Sequence, residues 1–321
     1  MAGPEPKEGI WTTSVLACPA CGVTDPCREV ERIDGYRLVL CTSCGLEYSD
    51  PMKAGDAAWY DAAYVIRHGI IDTRIRSYFQ WAVRRLPKCG RLLDVGCGAG
   101  IFVRFALRKG FDAFGLDFSE EAVSVGRTQG ASGRFFKGSP KDMAGSGTGT
   151  FQIVTVFEVI EHTENPGNFL QDIRCLLGDK GFICASVPFR DRWPIREQID
   201  YPPHHLTRWT PEAFRALFER NGFEIRCLGI TSGFDSYWQF LGYFLRMVFY
   251  QVLGVPIRPT APEKPGLSHR WLRRVWVRKG LSFFRLRYIR DMLTLPLAVL
   301  TYPFLKSRFQ GYHLMVLATK I

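Results

Sequence analysis

From position 91 onward, short apolar runs alternate with stretches of helical period, the pattern of a parallel sheet whose strands are joined by crossover helices. Strands are predicted over 91–95, 113–117, 134–137, 153–157, 182–187, 224–228 and 312–319. Helices are predicted over 101–109, 119–129, 167–177 and 211–221. Upstream, Ile75, Tyr78, Phe79, Ala82 and Leu86 recur at helical spacing and predict a helix that ends near Pro87. Residues 17–48 differ again, with paired cysteines, turn residues and only short apolar runs, the composition of a ribbon with little core of its own.

Two apolar segments, 237–256 and 292–305, separate the sixth predicted strand from the seventh. Gln239, Arg246 and Gln251 interrupt the first, and the second is short and carries Pro296 and Pro303, so neither has the run of roughly 18 apolar residues a spanning helix needs. Between them, Arg270, Arg273, Arg274 and Arg278 recur near helical spacing with Trp271, Leu272, Val275 and Trp276 on the other face. That is the pattern of an interfacial helix on an anionic membrane, with a dimer interface or a cap on the sheet as alternatives. The expected organisation is a ribbon over 1–50, a helical linker over 51–88, a core over 89–230, an apolar and basic helical insertion over 231–310, and a last core strand over 311–321.

The chemistry begins where the first core strand meets a glycine-rich turn, Asp94-Val95-Gly96-Cys97-Gly98-Ala99-Gly100, directly before a helix. Glycines there let backbone approach a ligand, and the helix start offers free amides. Asp117 ends the next strand, where a carboxylate can accept hydrogen bonds from both hydroxyls of a ribose. The fourth strand runs into Phe157-Glu158-Val159-Ile160-Glu161-His162, and Gly178-Asp179-Lys180-Gly181 predicts a turn before the fifth.

In the order and spacing of these motifs, about 91–228 resembles the class I S-adenosylmethionine (SAM)-dependent methyltransferase family. The resemblance implies an α/β, Rossmann-like, seven-stranded, mostly parallel sheet with helices on both faces, joined here to a zinc ribbon and a C-terminal helical insertion. It also implies that Asp94, Gly96, Gly98 and Gly100 hold the methionine and ribose parts of SAM, that Asp117 binds the ribose, and that Phe118 flanks adenine. Ser139, Phe157 and Glu158 are further cofactor-site candidates. Tyr64 matches a linker tyrosine that closes over SAM in similar methyltransferases. A nicotinamide dinucleotide site, which uses the same glycine and acid logic, is the alternative.

Cys18 and Cys21 form one two-residue knuckle and Cys41 and Cys44 another, nineteen residues apart. Four thiolates so spaced can close a tetrahedral zinc site that is structural, with no open position. Four free thiols are the alternative. The chain holds ten cysteines, the others scattered through apolar segments, which fits a reducing compartment better than a disulfide framework. With a polar start and no signal-peptide core, a cytoplasmic protein is expected, with peripheral membrane contact left open.

For chemistry, His204 and His205 in a proline-rich loop after the fifth strand are candidate general bases, and His162 is a third candidate. If a helix began at Glu158, then Glu158, Glu161 and His162 would share one face. The similar ubiquinone O-methyltransferases suggest a divalent cation there, although the favoured reading leaves Glu158 lining the SAM pocket and the others fixing the loop. The net charge of +11 favours an anionic partner. A small-molecule, sugar or lipid-linked acceptor, methylated at O or C, is the leading expectation. An RNA methyltransferase and a non-catalytic zinc- and membrane-binding adaptor are the alternatives, and nucleic acid is disfavoured because aromatic platforms interleaved with basic residues are not evident outside the insertion.

Overall fold

The computed structural model describes residues 17–24, 27–55, 76–129, 132–192, 200–231, 283–305 and 311–321, with individual positions between 234 and 248. Tyr64 and the arginine-rich segment 270–278 lie outside the described residues.

The N-terminal unit is an antiparallel sheet of β1 (Cys27–Ile33), β2 (Tyr36–Cys41) and β3 (Glu47–Asp50). Asp34 and Gly35 join the first two strands with φ of 46° and 84°. Two positive-φ residues make the tight hairpin turn whose twist matches that of paired strands, and Asp-Gly takes it with little strain. Each cysteine knuckle follows the same logic: Gly22 and Gly45, at φ of 76° and 75°, return their amides to the carbonyls of Cys18 and Cys41.

The core follows with α1 (Ser77–Arg85), β4 (Arg91–Val95), α2 (Ile101–Arg108), β5 (Asp112–Asp117), α3 (Glu120–Thr128) and β6 (Phe135–Lys137). Next come α4 (Pro140–Gly145), β7 (Phe151–Phe157), α5 (Pro166–Leu176), β8 (Leu177–Pro188), β9 (Thr207–Arg208) and α6 (Pro211–Arg220). The chain closes with β10 (Phe223–Thr231), α7 (Phe283–Leu305) and β11 (His313–Lys320). Seven strands form one sheet in the order β10-β11-β8-β7-β4-β5-β6, parallel except for β11, which runs against both neighbours. This is the Rossmann-like architecture expected from the sequence.

Alternate residues of each strand face opposite layers. Leu93, Val95, Val154, Val156, Ile183 and Ala185 pack with Leu170 and Ile173 of α5 and Phe214 and Leu217 of α6. Leu92, Ile153, Cys184 and Met315 pack on the other side with Tyr78, Phe79 and Ala82 of α1 and Phe102, Val103 and Ala106 of α2. The ribbon is continuous with the first of these layers, because Cys18, Cys41, Cys44, Leu46 and Tyr48 belong to the same buried cluster. Its sheet also gains a strand from the core: β9 pairs antiparallel with β3, Glu47 opposite Arg208 and Tyr48 opposite Thr207.

Several boundaries differ from the sequence expectation. The turn predicted at 178–181 is absorbed into β8, which starts at Leu177 and bulges against β7, with Lys180 at φ 54°. A short helix, α4, stands where no element was predicted, nucleated by a capping box between Ser139 and Asp142 with Pro140 in its first turn. The apolar segment 292–305 is the C-terminal part of α7, which carries Pro296 and Pro303 inside it. Among the described residues no helix is long and apolar enough to cross a membrane.

Candidate functional site

After β6 the chain leaves one edge of the sheet and crosses to β7, on the other side of β4. A crevice opens at the carboxyl end of a parallel sheet where its strand order reverses in this way. The loops after β4, β5 and β7 therefore meet at this place, and they carry the glycine turn, Asp117 and Glu158.

The turn after β4 is built from three left-handed glycines, Gly96, Gly98 and Gly100, at φ of 73°, 52° and 77°. A Cβ on Gly96 would stand 2.4 Å from Val159 Cγ2, and one on Gly100 2.2 Å from the ring of Phe135, so both positions exclude a side chain. Gly98 is different: a Cβ there would meet nothing within 4 Å. Its backbone faces open space.

Asp117 ties the turn to the next strand. Its Oδ2 accepts from the Gly98 amide at 2.7 Å and its Oδ1 from the Ser119 amide at 2.9 Å. Phe118, next in the chain, holds its ring out with 66% of its surface exposed. Ser139 serves mainly as the cap of α4, its hydroxyl bound to Asp142 Oδ2 at 2.6 Å. Phe157 packs in the core against Phe102, Phe79 and Tyr78, with ring centroids 4.7, 5.5 and 5.4 Å away.

Asp94 is buried at the end of β4 and accepts a 2.7 Å hydrogen bond from Thr155 Oγ1. Burial pushes its carboxyl up to about 8 against the lowering effect of that bond. The folded protein thus keeps a proton that the unfolded chain has released, so the ligand-free protein loses stability as pH rises between about 4 and 8. Asp94→Asn is expected to flatten this decline in thermal denaturation while weakening SAM binding. A variant as pH-sensitive as the parent would show that another group sets the slope.

Glu158 does not begin a helix. β7 ends at Phe157, Glu158 turns back at φ 56°, and only a single 3-10 turn over Ile160–His162 follows. The shared face expected for Glu158, Glu161 and His162 is therefore absent, because the left-handed residue breaks the helical geometry before it starts. Glu158 Oε1 accepts from Ser186 Oγ at 2.7 Å, and its Oε2 lies 3.8 Å from His313 Nε2. Burial pushes its carboxyl up to about 7.

The three candidate histidines do come together. The rings of His162, His204 and His205 stand 4.6 to 4.8 Å apart. His162 Nδ1 hydrogen-bonds the His204 carbonyl at 2.6 Å, and His205 Nδ1 lies 3.2 Å from Asp200 Oδ1. Burial holds His205 below its ordinary range, opposed by Asp200. The Asp200 carboxylate also pairs with Arg192, and its carbonyl accepts from Arg208 Nη1 at 2.5 Å. Arg208 in turn donates to Glu47 Oε1 of the ribbon at 2.6 Å. Sequence reading missed Asp200, Arg192, Arg208, Glu47 and Ser186. Asp200, Arg192 and Arg208 each lie within eight residues of a partner along the chain, whereas Glu47 and Ser186 depend on long-range contacts.

At the other end of the ribbon, the sulfurs of Cys18 and Cys44 lie 3.6 Å apart, as do those of Cys21 and Cys41, and all four lie within 4.8 Å of one another. Tetrahedral thiolates about 2.3 Å from one zinc ion would stand about 3.8 Å apart, so this donor set fits zinc.

A family model described as a methyltransferase domain matches residues 67–228. A ubiquinone biosynthesis O-methyltransferase from Caulobacter sp. is 33% identical over 170 residues, covering 48% of this chain and 67% of that protein. One from Thiobacillus denitrificans is 31% identical over 136 residues, covering 40% of this chain and 57% of that protein. A solved SAM-dependent methyltransferase from Mesorhizobium loti shares 16% identity with a TM-score of 0.45, covering 76% of this chain and 98% of that one. With the glycine turn, Asp117 and the seven-stranded sheet in place, the chain belongs to the class I SAM-dependent methyltransferases.

Proposed function

We propose that this protein moves the SAM methyl group to a hydroxyl oxygen of a small organic acceptor. The observation that carries this reading is the histidine cluster of His162, His204 and His205, whose first member follows Val159, the residue packed on Gly96 of a glycine turn whose open Gly98 and whose Asp117 fit a ribose-bearing cofactor. When bound, SAM supplies a methyl group on a sulfonium, ready for in-line displacement. The Asp117 oxygens would hold the ribose, Phe118 would flank adenine, and Asp94 and the turn amides would hold the amino-acid end. The acceptor hydroxyl loses its proton at the histidine cluster; its oxygen then forms the new C–O bond as the C–S bond breaks.

The names of the curated relatives, which are O-methyltransferases, support oxygen as the acceptor atom. Replacing both His204 and His205 with alanine is expected to lower kcat on the order of 10²-fold or more while SAM affinity stays within about threefold. Undiminished turnover in that variant would remove the cluster from the reaction. Identifying the product labelled from methyl-tritiated SAM in cell extract names the acceptor.

The four ribbon thiolates hold one structural zinc ion in this reading. The acceptor is lipid-linked or carries an apolar tail, and the enzyme meets it at an anionic membrane surface. Support comes from α7, where Val299, Leu300 and Phe304 are exposed, Phe304 by 81%, and from the arginine-rich sequence that precedes this helix in the chain. The protein is expected to float with vesicles containing acidic lipid, and Leu300→Glu with Phe304→Glu to stay in solution. Failure of the parent protein to float would leave a freely diffusing acceptor.

A further inference from the structure

Glu161 is an anomaly in the fold. Its side chain is 1% exposed, and neither carboxylate oxygen has a hydrogen-bond partner. A bare buried carboxylate costs several kcal/mol, a cost that a cation beside it offsets. No arginine or lysine is paired with it among the described residues. Facing it are His162 Nε2 at 3.8 Å and His205 Nε2 at 4.0 Å from Oε1.

These separations are too long for hydrogen bonds and close to those of atoms that share one ion. Ligands about 2.0–2.2 Å from a metal stand roughly 3–3.5 Å from each other, so side-chain shifts of less than about 1 Å bring His162 and His205 to ligand spacing with Glu161. Both imidazoles are also oriented for it. A carbonyl only accepts, so His162 donates Nδ1–H to His204 O; His205 likewise directs Nδ1 at the Asp200 carboxylate. In the neutral ring each arrangement turns the basic Nε2 toward Glu161. Donation of the second ring nitrogen to a carbonyl or carboxylate is the usual support of a metal-ligating histidine. Arg192 and Arg208 hold Asp200 in place behind it. His204 brings the third imidazole, with its ligand atom within 4.8 Å of the other two.

We infer that His162, His204, His205 and Glu161 bind a divalent transition-metal cation at the acceptor end of the site. Three imidazoles and one carboxylate suit zinc, iron, nickel or copper, and suit magnesium poorly. This ligand set differs from the Glu158, Glu161 and His162 grouping considered from sequence. Glu158 is committed to Ser186 and lies beside His313, and two of the new ligands come from the loop before β9. The inference rests on the proposed function for its place in the site and changes the proton's route, since with the imidazole nitrogens on the cation the metal, not a free histidine, would acidify the acceptor hydroxyl; the site itself is tested by binding alone.

The test is the zinc content of the full chain after saturation with zinc and desalting. The parent protein is expected to retain a second equivalent beyond the one held by the cysteines. His204→Gln with His205→Gln removes that second equivalent and leaves the first, while Cys41→Ser with Cys44→Ser does the reverse. Should the double histidine variant misfold, His162→Gln alone and the parent stoichiometry decide the matter. In the parent loaded with cobalt, paramagnetic shifts of the three histidine ring signals are a separate readout. A single equivalent in the parent, unaffected by histidine substitution, overturns the site. Two equivalents without methyl transfer to any hydroxyl acceptor would keep the site and overturn the proposed reaction.

Discussion

Cys41→Ser with Cys44→Ser is expected to release the ribbon metal and to lower kcat on the order of 10²-fold, with SAM affinity changed by less than about threefold. Structural zinc sites contribute roughly 10–16 kcal/mol to the folding of such small units, far more than the ribbon's own core supplies. The loss would spread because the ribbon is stitched to the segment that follows His204 and His205. β3 pairs with β9, the Ser49 amide donates to the Leu206 carbonyl at 2.8 Å, and Thr210 Oγ1 donates to the Cys44 carbonyl at 2.7 Å. Without β3, Arg208 loses Glu47, and breaking a buried ion pair in this way costs about 3–5 kcal/mol. Arg208 then no longer fixes Asp200, nor Asp200 the ring of His205. The glycine turn and Asp117 lie elsewhere on the sheet, so cofactor binding is spared. Isothermal titration with SAM, steady-state kinetics and metal content on one preparation separate these effects. Full turnover from metal-free ribbon would show that the unit is dispensable for catalysis.

The second large effect is on the cofactor. Asp117→Ala is expected to weaken SAM binding on the order of 10²–10³-fold. Hydrogen bonds to a charged group are worth about 1.5–3 kcal/mol each. The alanine forfeits those to the ribose and also frees the amides of Gly98 and Ser119, which hold the turn in shape. Asp117→Asn retains an acceptor oxygen but not the charge, and is expected to fall between alanine and the parent. Equilibrium binding measured by calorimetry distinguishes the three. Retention of SAM within about threefold by the alanine variant would dissolve the pocket assignment.

Much of this site was legible in the chain, for a reason that particular residues make plain. Asp94, Gly96, Gly98 and Gly100 sit in one unbroken turn, and Asp117 closes the adjacent strand. The cysteine knuckles are likewise local, each two-residue spacing fixing a pair of sulfurs. Phe157 and Ser139 were less legible, because the first is claimed by the aromatic core and the second by a helix cap. In both cases the residue type suits the pocket and the local fold equally well.

The sequence by itself determined the sheet, the glycine turn, the carboxylate after β5 and the sulfur set, because buried parallel strands, tight turns and metal knuckles each depend on residues close together in the chain. Only the tertiary structure decided that the ribbon is joined to the loop that carries His204 and His205 and that Glu161 faces His162 and His205. Glu47 and Arg208 are 161 positions apart, and His162 and the His204 carbonyl 42. Contacts at such separations leave no periodicity to read; they exist because packing of the two layers brings the loop after β8 against β3 and the turn after β7, where the buried charges must find one another.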